Sequence, residues 1–264
     1  MSNQISPHWH WHGQEHPYLT CKLLSAWQHG FFTQEFYPQP PEELTSILKP
    51  QSSAYRVKQV HGNLVLTSQE IATAIAKDPT NSLPDGDGVI SDRPKQSVWV
   101  ASADCTPVLI GDVVTGRVSA IHAGWRGTAA EIVPQAVFKF LVFGSQKHDL
   151  RIAIGPAISG EVYQVDEDVA IKVGKTIISD AEKRTDLEIL TELKQLPDTP
   201  VLEDEMPGKV RLNVPRINQI QLEQLDIDPE HIAIANQCTY QHDRFFSYRR
   251  SGEKKVQWSG IVSR

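Results

Sequence analysis

The sequence has few cysteines, no long apolar run and no excess of positive charge. Its three cysteines, Cys21, Cys105 and Cys238, lie far apart without a CxxC pair, which argues against a disulfide framework and for a reducing compartment. The formal net charge of −6 gives no support for a nucleic-acid-binding protein, which normally carries a basic stripe. The apolar stretches are too short to span a membrane, and the N-terminus lacks a signal-peptide pattern. We therefore expect a cytoplasmic protein with neither a membrane nor a nucleic-acid partner.

The length of 264 residues suffices for a sizeable hydrophobic core. The hydrophobic fraction of 40% and the charged fraction of 22% are ordinary globular values. No repeat, linker or domain boundary is evident, so we expect a single domain over residues 1–264. Strands and helices mix without strict βαβ alternation, which predicts an α/β (α+β) fold with mixed β-sheets flanked by helices.

Residues with reactive side chains concentrate in the stretch Val98–Val133, which the hydrophobic pattern predicts to be two apolar strands and a helix. Cys105 follows the first of these strands, and His122 ends the second. A third candidate, His61, ends a strand predicted over Ser52–Gly62. Two imidazoles and one thiolate are a familiar zinc set, and three protein ligands leave a fourth position open, as in catalytic zinc sites.

The same side chains permit a reading without a metal. Cys105 would be a nucleophile activated by His122, with Asp104 or another polar group orienting the imidazole. This arrangement indicates a hydrolase or deamidase. Metal content discriminates between the two readings, because the cysteine–histidine pair would work in the presence of a chelator and the zinc site would not.

Three other segments call for a structural rather than a chemical interpretation. The alternating His8–His12 segment is predicted to be an edge strand with its tryptophan face packed, although its three histidines would share a face that suits a metal. Asp85 and Asp87, in a glycine-rich turn, either cap the loop or face the site, and we expect the loop role because turn chemistry alone explains them. Residues 180–208 are polar and interrupted by prolines, which predicts an insertion or surface excursion.

Six motifs together resemble the YfiH-like laccase-domain family, also called multicopper polyphenol oxidase-type proteins. They are KQVHG (Lys58–Gly62), PDGDGVIS (Pro84–Ser91), SADCTPVLI (Ser102–Ile110), HAGWRGTAAEIV (His122–Val133), IGPAIS (Ile154–Ser159) and NQCTY with RFFSYRRSG (within Asn236–Gly252). The resemblance implies a single domain of YfiH-like, CNF-like architecture. It also implies that His61, Cys105 and His122 are catalytic metal ligands.

The resemblance further implies purine nucleoside chemistry, with a nucleoside and phosphate as small-molecule partners of a monomer or weak homodimer. The implied reactions are phosphorolysis of adenosine, inosine, guanosine and methylthioadenosine, and deamination of adenosine. Some members carry an older label as copper-dependent polyphenol oxidases. A four-copper oxidase needs many histidines, usually in His-x-His pairs, and the 10 histidines here form such pairs only within His8–His12. We therefore expect zinc, with copper as a possible substitute because Cu²⁺ competes well at nitrogen-containing sites.

Phosphorolysis requires an anion site near the reacting sugar carbon. Arg126 lies in the turn before a predicted helix, and Arg249 and Arg250 lie near the C-terminus; guanidinium groups bind phosphate through a planar fork. Three aromatic residues alternate with the last two arginines: Phe245, Phe246 and Tyr248. They either stack on a purine or pack in the core.

Overall fold

Two packed β-sheets form the centre of the fold in the computed structural model, which describes residues 8–78 and 83–264. Within these residues the first sheet has the order β1 (Trp9–His12), β2 (Tyr18–Cys21), β3 (His29–Phe32), β15 (Gln257–Val262), β7 (Gln96–Ser102), β4 (Ser53–Tyr55). The second has the order β14 (Ile232–Ile234), β10 (Leu150–Ile154), β8 (Thr106–Asp112), β9 (Val118–Ala123), β6 (Gly88–Ile90), β5 (Val65–Thr67). Each sheet contains parallel and antiparallel pairs, so the predicted mixed sheets are confirmed.

The two sheets bury their facing sides in one hydrophobic cluster, to which Val98, Val100 and Leu109 contribute. Helix α4 (Ile132–Val142) covers the outer side of the second sheet, and α1 (Pro41–Leu48) covers the outer side of the first. Because both sides are covered, β7, β8 and β9 are almost entirely buried, and this is why their sequences are continuous apolar runs.

A third, smaller sheet lies beside the main pair and carries its own hydrophobic cluster. In the described residues its order is β11 (Gln164–Asp166), β13 (Lys209–Leu212), β12 (Val201–Glu203), with helices α5 (Glu167–Gly174), α6 (Asp186–Gln195) and α7 (Val214–Gln224). The prediction of a surface excursion over 180–208 is wrong. This segment contains α6 and β12, and Ile189 and Leu193 are fully buried, because an amphipathic helix buries one stripe while its average composition stays polar.

Several sequence-based boundaries also differ from the structure. The stretch Val98–Val133 contains three strands and begins two helices, α3 (Trp125–Ala129) and α4. The strand predicted over Ser52–Gly62 ends at Tyr55, so His61 lies in an irregular segment and not at a strand end. The other α-helices in the described part of the chain are α2 (Ser68–Lys77) and α8 (Tyr248–Ser251). No helix among the described residues combines the length and the apolar character that crossing a membrane requires.

The N-terminal strand β1 lies at the edge of the first sheet, as predicted, and Trp9 packs in the core with 2% exposure. Nε2 of His12 pairs with the hydroxyl of Thr20 at 2.8 Å. The histidines of this strand are not part of a group of three metal-ligating side chains in the described chain. The position of this strand and the burial of Trp9 therefore agree with the structural role predicted for the segment.

Candidate metal centre

His61, Cys105 and His122 converge at one end of the two central sheets. One ligand atom of each lies within 4.8 Å of the others, and the two imidazole rings are 4.9 Å apart at an interplanar angle of 80°. His122 is buried, Cys105 is partly buried and His61 is exposed. The structure thus brings the three predicted ligands together from separate parts of the chain and leaves one side of the group open to solvent.

Antiparallel pairing of β8 and β9 sets two of these positions. In that pairing Pro107 lies opposite His122, which places Cys105, in the turn before β8, next to the end of β9. The chain leaves β9 through Gly124, where a Cβ atom would lie 2.8 Å from Sγ of Cys105 and 3.4 Å from Cδ2 of His61. A glycine is needed here because any side chain would press on two of the three candidate ligands.

Asp87 holds both histidines, which agrees with the less favoured of its two sequence readings, a side chain that faces the site. Its carboxylate is fully buried and accepts a hydrogen bond from Nδ1 of His122 at 2.9 Å. The same carboxylate accepts from the backbone N–H groups of Val60, His61 and Gly62 at 2.7–3.2 Å. These bonds stabilise His61 in the left-handed region at φ 61°. The missed sequence signal was an aspartate directly before a buried strand.

The other loop aspartates have different partners. Asp85 forms an exposed ion pair with Lys58, in agreement with the loop role expected for it. The carboxylate of Asp104, the sequence-based candidate for orienting the imidazole, accepts hydrogen bonds from the Thr239 hydroxyl and the backbone N–H of Arg249. Asp87 therefore fixes His122, and Asp104 belongs to a different contact.

Cys105 and His122 shift each other's pKa in the absence of a metal ion. Burial opposes ionisation of the Cys105 thiol, but hydrogen bonds from His122 and His61 outweigh it and lower the pKa to about 6. Burial likewise opposes the charged form of His122, but hydrogen bonds to Asp87 and Cys105 raise its pKa to about 9. The pair therefore favours a thiolate, which is the form of cysteine that binds metals.

The donor set fits a zinc ion. Zinc accepts sulfur and imidazole nitrogen ligands, and the Nδ1 contact between His122 and Asp87 leaves Nε2 as the nitrogen for the metal. Three protein ligands with one open side correspond to a catalytic rather than a closed structural site. Among the residues that the structure describes, His61, Cys105 and His122 are the one group of three potential ligands, which does not supply the ligands of a four-copper oxidase.

A cavity of about 380 Å³ opens on the three side chains, and this volume is in the range of small-molecule sites. Its walls combine residues before β8, one residue of β9 and the C-terminal segment: Val57, Gln59, His61, Ala101, Ser102, Ala103, Cys105, His122, Tyr248, Glu253, Lys254, Lys255, Val256, Trp258. A smaller cavity of about 30 Å³ lies on the other side of Cys105, with Trp125 and Tyr163 in its wall. Burial raises the pKa of Tyr163 to about 12, so its hydroxyl remains a hydrogen-bond donor at neutral pH.

The three predicted phosphate-binding arginines differ in their surroundings. The guanidinium of Arg249 lies 4.9 Å from the ring centre of Tyr163, and that of Arg126 lies 4.3 Å from the ring centre of Trp125. Both side chains are exposed beside the smaller cavity. The guanidinium of Arg249 also donates to the backbone oxygen of Gln164. That of Arg250 donates to three backbone oxygens, of Thr239, Tyr240 and Phe245, which favours a structural role for it.

The neighbouring aromatic side chains divide between core and cavity. Phe245 is buried against Trp11, whereas Phe246 packs edge-on against Tyr37. Tyr248 is 55% exposed and lines the larger cavity, so it alone of the three faces the candidate site.

The two remaining cysteines and His29 lie outside the candidate ligand group in the described residues. Cys21 is buried, which raises its pKa to about 11, and Cys238 accepts a hydrogen bond from the backbone of Ser159. The His29 ring bridges the backbones of Cys21 and Trp27. These contacts agree with structural roles.

Comparison with known proteins places the chain in a family. A family model for multi-copper polyphenol oxidoreductase laccases matches residues 42–263. A purine nucleoside phosphorylase of Synechocystis is 56% identical over 249 residues, which cover 94% of this chain and 94% of that protein. A purine nucleoside phosphorylase of Bacteroides thetaiotaomicron is 29% identical, over 81% of this chain and 74% of that protein.

Two solved structures share the fold. YlmD from Geobacillus stearothermophilus has a TM-score of 0.79 at 23% identity, covering 96% of this chain and 98% of that one. YfiH from Bacillus licheniformis has a TM-score of 0.78 at 24% identity, with full coverage of both chains. The mixed α/β architecture and the matched motifs agree, and the chain belongs to the YfiH-like family of multi-copper polyphenol oxidoreductase laccases.

Proposed function

We propose that this protein is a zinc-dependent purine nucleoside phosphorylase acting on adenosine, inosine, guanosine and methylthioadenosine, and that it also deaminates adenosine. The observation that carries the proposal is the group of His61, Cys105 and His122 at the wall of a cavity of about 380 Å³. The printed function of a relative that is 56% identical over nearly the whole chain supports the same reaction.

His61, Cys105 and His122 would hold the metal, and Asp87 would keep both histidines in place. Zinc bound there supplies Lewis acidity, which stabilises negative charge that develops on an oxygen of the reactants. The buried carboxylate of Asp87 directs Nε2 of His122 toward the group by accepting from Nδ1. Pre-organisation of this kind lowers the cost of positioning ligands during the reaction.

Phosphorolysis breaks the bond between the sugar C1′ and the purine N9 and forms a bond between C1′ and a phosphate oxygen, and the proton that phosphate loses balances the one that the departing base gains. We assign phosphate binding to Arg249 and Arg126, because both are exposed beside the cluster and neither forms an ion pair with a carboxylate in the described residues. Arg250 supports this arrangement by ordering the loop that carries Arg249.

The purine would lie in the larger cavity against Tyr248, whose exposed ring offers a stacking surface. Deamination of adenosine replaces the amino group on C6 with oxygen from water and releases ammonia. Both reactions would therefore use one base-binding surface.

The test is an assay of purified, metal-analysed protein with inosine and with adenosine, in the presence and absence of phosphate. We expect release of hypoxanthine from inosine only with phosphate, and formation of inosine from adenosine without it. Absence of both products from protein that contains one zinc per chain would overturn the proposal. The variant Cys105→Ala provides the control for contaminating activity.

A metal-free cysteine–histidine hydrolase is the second candidate, and the lowered pKa of Cys105 beside His122 is the observation that favours it. Treatment with a chelator followed by reconstitution separates the two functions. The zinc enzyme loses activity with the metal and regains it with added zinc, whereas a hydrolase retains activity throughout. Copper-dependent oxidation of phenols, the third candidate, is tested by measuring dye oxidation after reconstitution with copper and with zinc.

A further inference from the structure

We propose that Asp104 is a positioning residue that fixes the loop of residues 239–250, hereafter the clasped loop, beside the metal centre. The proposal deepens the proposed function and rests on it, because the clasped loop carries Arg249 and Tyr248. Asp104 directly precedes Cys105 in the chain. It therefore connects the turn that carries a candidate ligand to the segment assigned to phosphate and purine binding.

The clasped loop lies in a long segment with little regular structure. Strand β14 ends at Ile234 and β15 begins at Gln257, and the short helix α8 is the one regular element described between them. Long irregular segments inside compact domains are uncommon and usually functional. A segment of this kind needs contacts outside its own backbone to keep a single conformation.

Both ends of the clasped loop bind the same carboxylate. Oδ1 of Asp104 accepts a hydrogen bond from the Thr239 hydroxyl at 2.7 Å, and Oδ2 accepts from the backbone N–H of Arg249 at 2.7 Å. Thr239 is fully buried and Asp104 is 9% exposed, so water competes little for these bonds. Asp104 has φ 85°, a conformation that aspartate, asparagine and glycine tolerate better than other residues.

Arg250 connects the start of the clasped loop to its middle. Its guanidinium donates to the backbone oxygens of Thr239 and Tyr240 at one end and of Phe245 in the middle. Asp104 therefore holds a loop that is already compact, and its contribution is to set where the loop lies. The guanidinium of Arg249 against Tyr163 and the ring of Tyr248 in the cavity wall both depend on that placement.

Two variants at Asp104 test its role, because one removes the carboxylate and the other keeps its hydrogen bonds. Asp104→Gly removes the carboxylate without strain, because glycine adopts positive φ readily. Asp104→Asn keeps both hydrogen bonds, since the amide oxygen accepts from the N–H of Arg249 while the amide nitrogen donates to the hydroxyl oxygen of Thr239. Asp198→Gly, also at positive φ (47°) but in the segment between α6 and β12, is the control for a glycine substitution.

For Asp104→Gly we expect the KM for phosphate to rise about ten- to a hundredfold, the range for losing hydrogen bonds to a buried charged group. We expect zinc to stay at one ion per chain. Asp104→Asn should restore the KM to within a few-fold of wild type, and Asp198→Gly should not change it. An unchanged KM in Asp104→Gly, a loss of zinc in it, or an equal defect in Asp104→Asn would overturn the proposal.

Hydrogen exchange gives a readout that does not depend on the reaction. Peptides covering residues 239–250 should exchange faster in Asp104→Gly than in wild type, with Asp104→Asn again close to wild type. Unchanged exchange there would overturn the proposal even if the enzyme is a phosphorylase. Faster exchange in a protein without nucleoside activity would instead show that the proposed function is wrong and that the positioning role of Asp104 is right.

Discussion

Nδ1 of His122 donates to Oδ1 of Asp87 across 2.9 Å, in a site where the carboxylate is fully buried. The same carboxylate also binds the backbone on both sides of His61. One side chain therefore orients two of the three candidate ligands, one through its ring and one through its main chain. Carboxylates that bind a ligating imidazole in this way fix its orientation and raise its basicity.

We predict that Asp87→Asn weakens zinc binding about 10- to 100-fold, because an amide cannot accept from the ring and from all three backbone donors at once. Competition with a chromophoric chelator measures the affinity. The control is Asp85→Asn, which removes an exposed carboxylate from the same turn and should bind zinc as wild type does. Equal affinities of the two variants would contradict the role assigned to Asp87.

Gly124→Ala should abolish stoichiometric zinc binding, because the added Cβ would lie 2.8 Å from Sγ of Cys105. The matched control is Gly111→Ala, where the Cβ would lie equally close to the Trp27 ring at the far end of β8. We expect both variants to lower the melting temperature, since both crowd a packed region. Metal analysis should separate them: normal zinc in Gly124→Ala would contradict the crowding argument.

Replacing Arg249 should affect phosphate binding, whereas replacing Arg250 should affect stability. Arg249→Gln should raise the KM for phosphate about tenfold or more, because it removes the proposed phosphate donor. Its stability should change little, because the side chain is exposed and its guanidinium donates to one backbone oxygen, that of Gln164. Arg250→Gln should lower the free energy of unfolding by about 1–2 kcal/mol, because three backbone oxygens lose a shared donor. Steady-state kinetics at varied phosphate and urea unfolding measure the two effects. A stability loss confined to Arg249→Gln would reverse the assignment.

His29 should make stability fall in mild acid. Burial lowers its pKa to about 4, although the hydrogen bond from Nδ1 to the carbonyl oxygen of Trp27 partly opposes this. Between pH 6.5 and pH 4 the unfolded chain binds a proton at this residue and the folded protein does not, so the folded state loses about 3 kcal/mol over that window. Above pH 6.5 the contribution is constant.

The measurement is urea unfolding of wild type and His29→Gln from pH 7.5 to pH 4. Because other groups titrate in both proteins, the informative quantity is the difference between their unfolding free energies. This difference should shrink as the pH falls. A difference that is independent of pH would show that the pKa of His29 is unchanged by folding, which would contradict the prediction.

Much of the architecture could be predicted from the hydrophobic pattern. The burial of β7, β8 and β9 on both sides made their sequences continuous apolar runs, and those runs located Cys105 and His122 correctly near strand ends. The prediction for residues 180–208 failed because helix α6 buries only one stripe of its surface. The hydrophobic pattern of a segment predicts its structure well where the segment is fully buried, and poorly where only one stripe of it is buried.

The sequence by itself determined which residues could form the site: one cysteine, two histidines and three arginines within specific motifs. Only the tertiary structure decided their roles. Asp87 supports two histidines, Asp104 binds the clasped loop, and Arg250 donates to the backbone of that loop. The physical reason is that hydrogen-bond partners such as Asp104 and Thr239 are 135 positions apart in the chain, and no local pattern records which distant donor will reach a buried carboxylate.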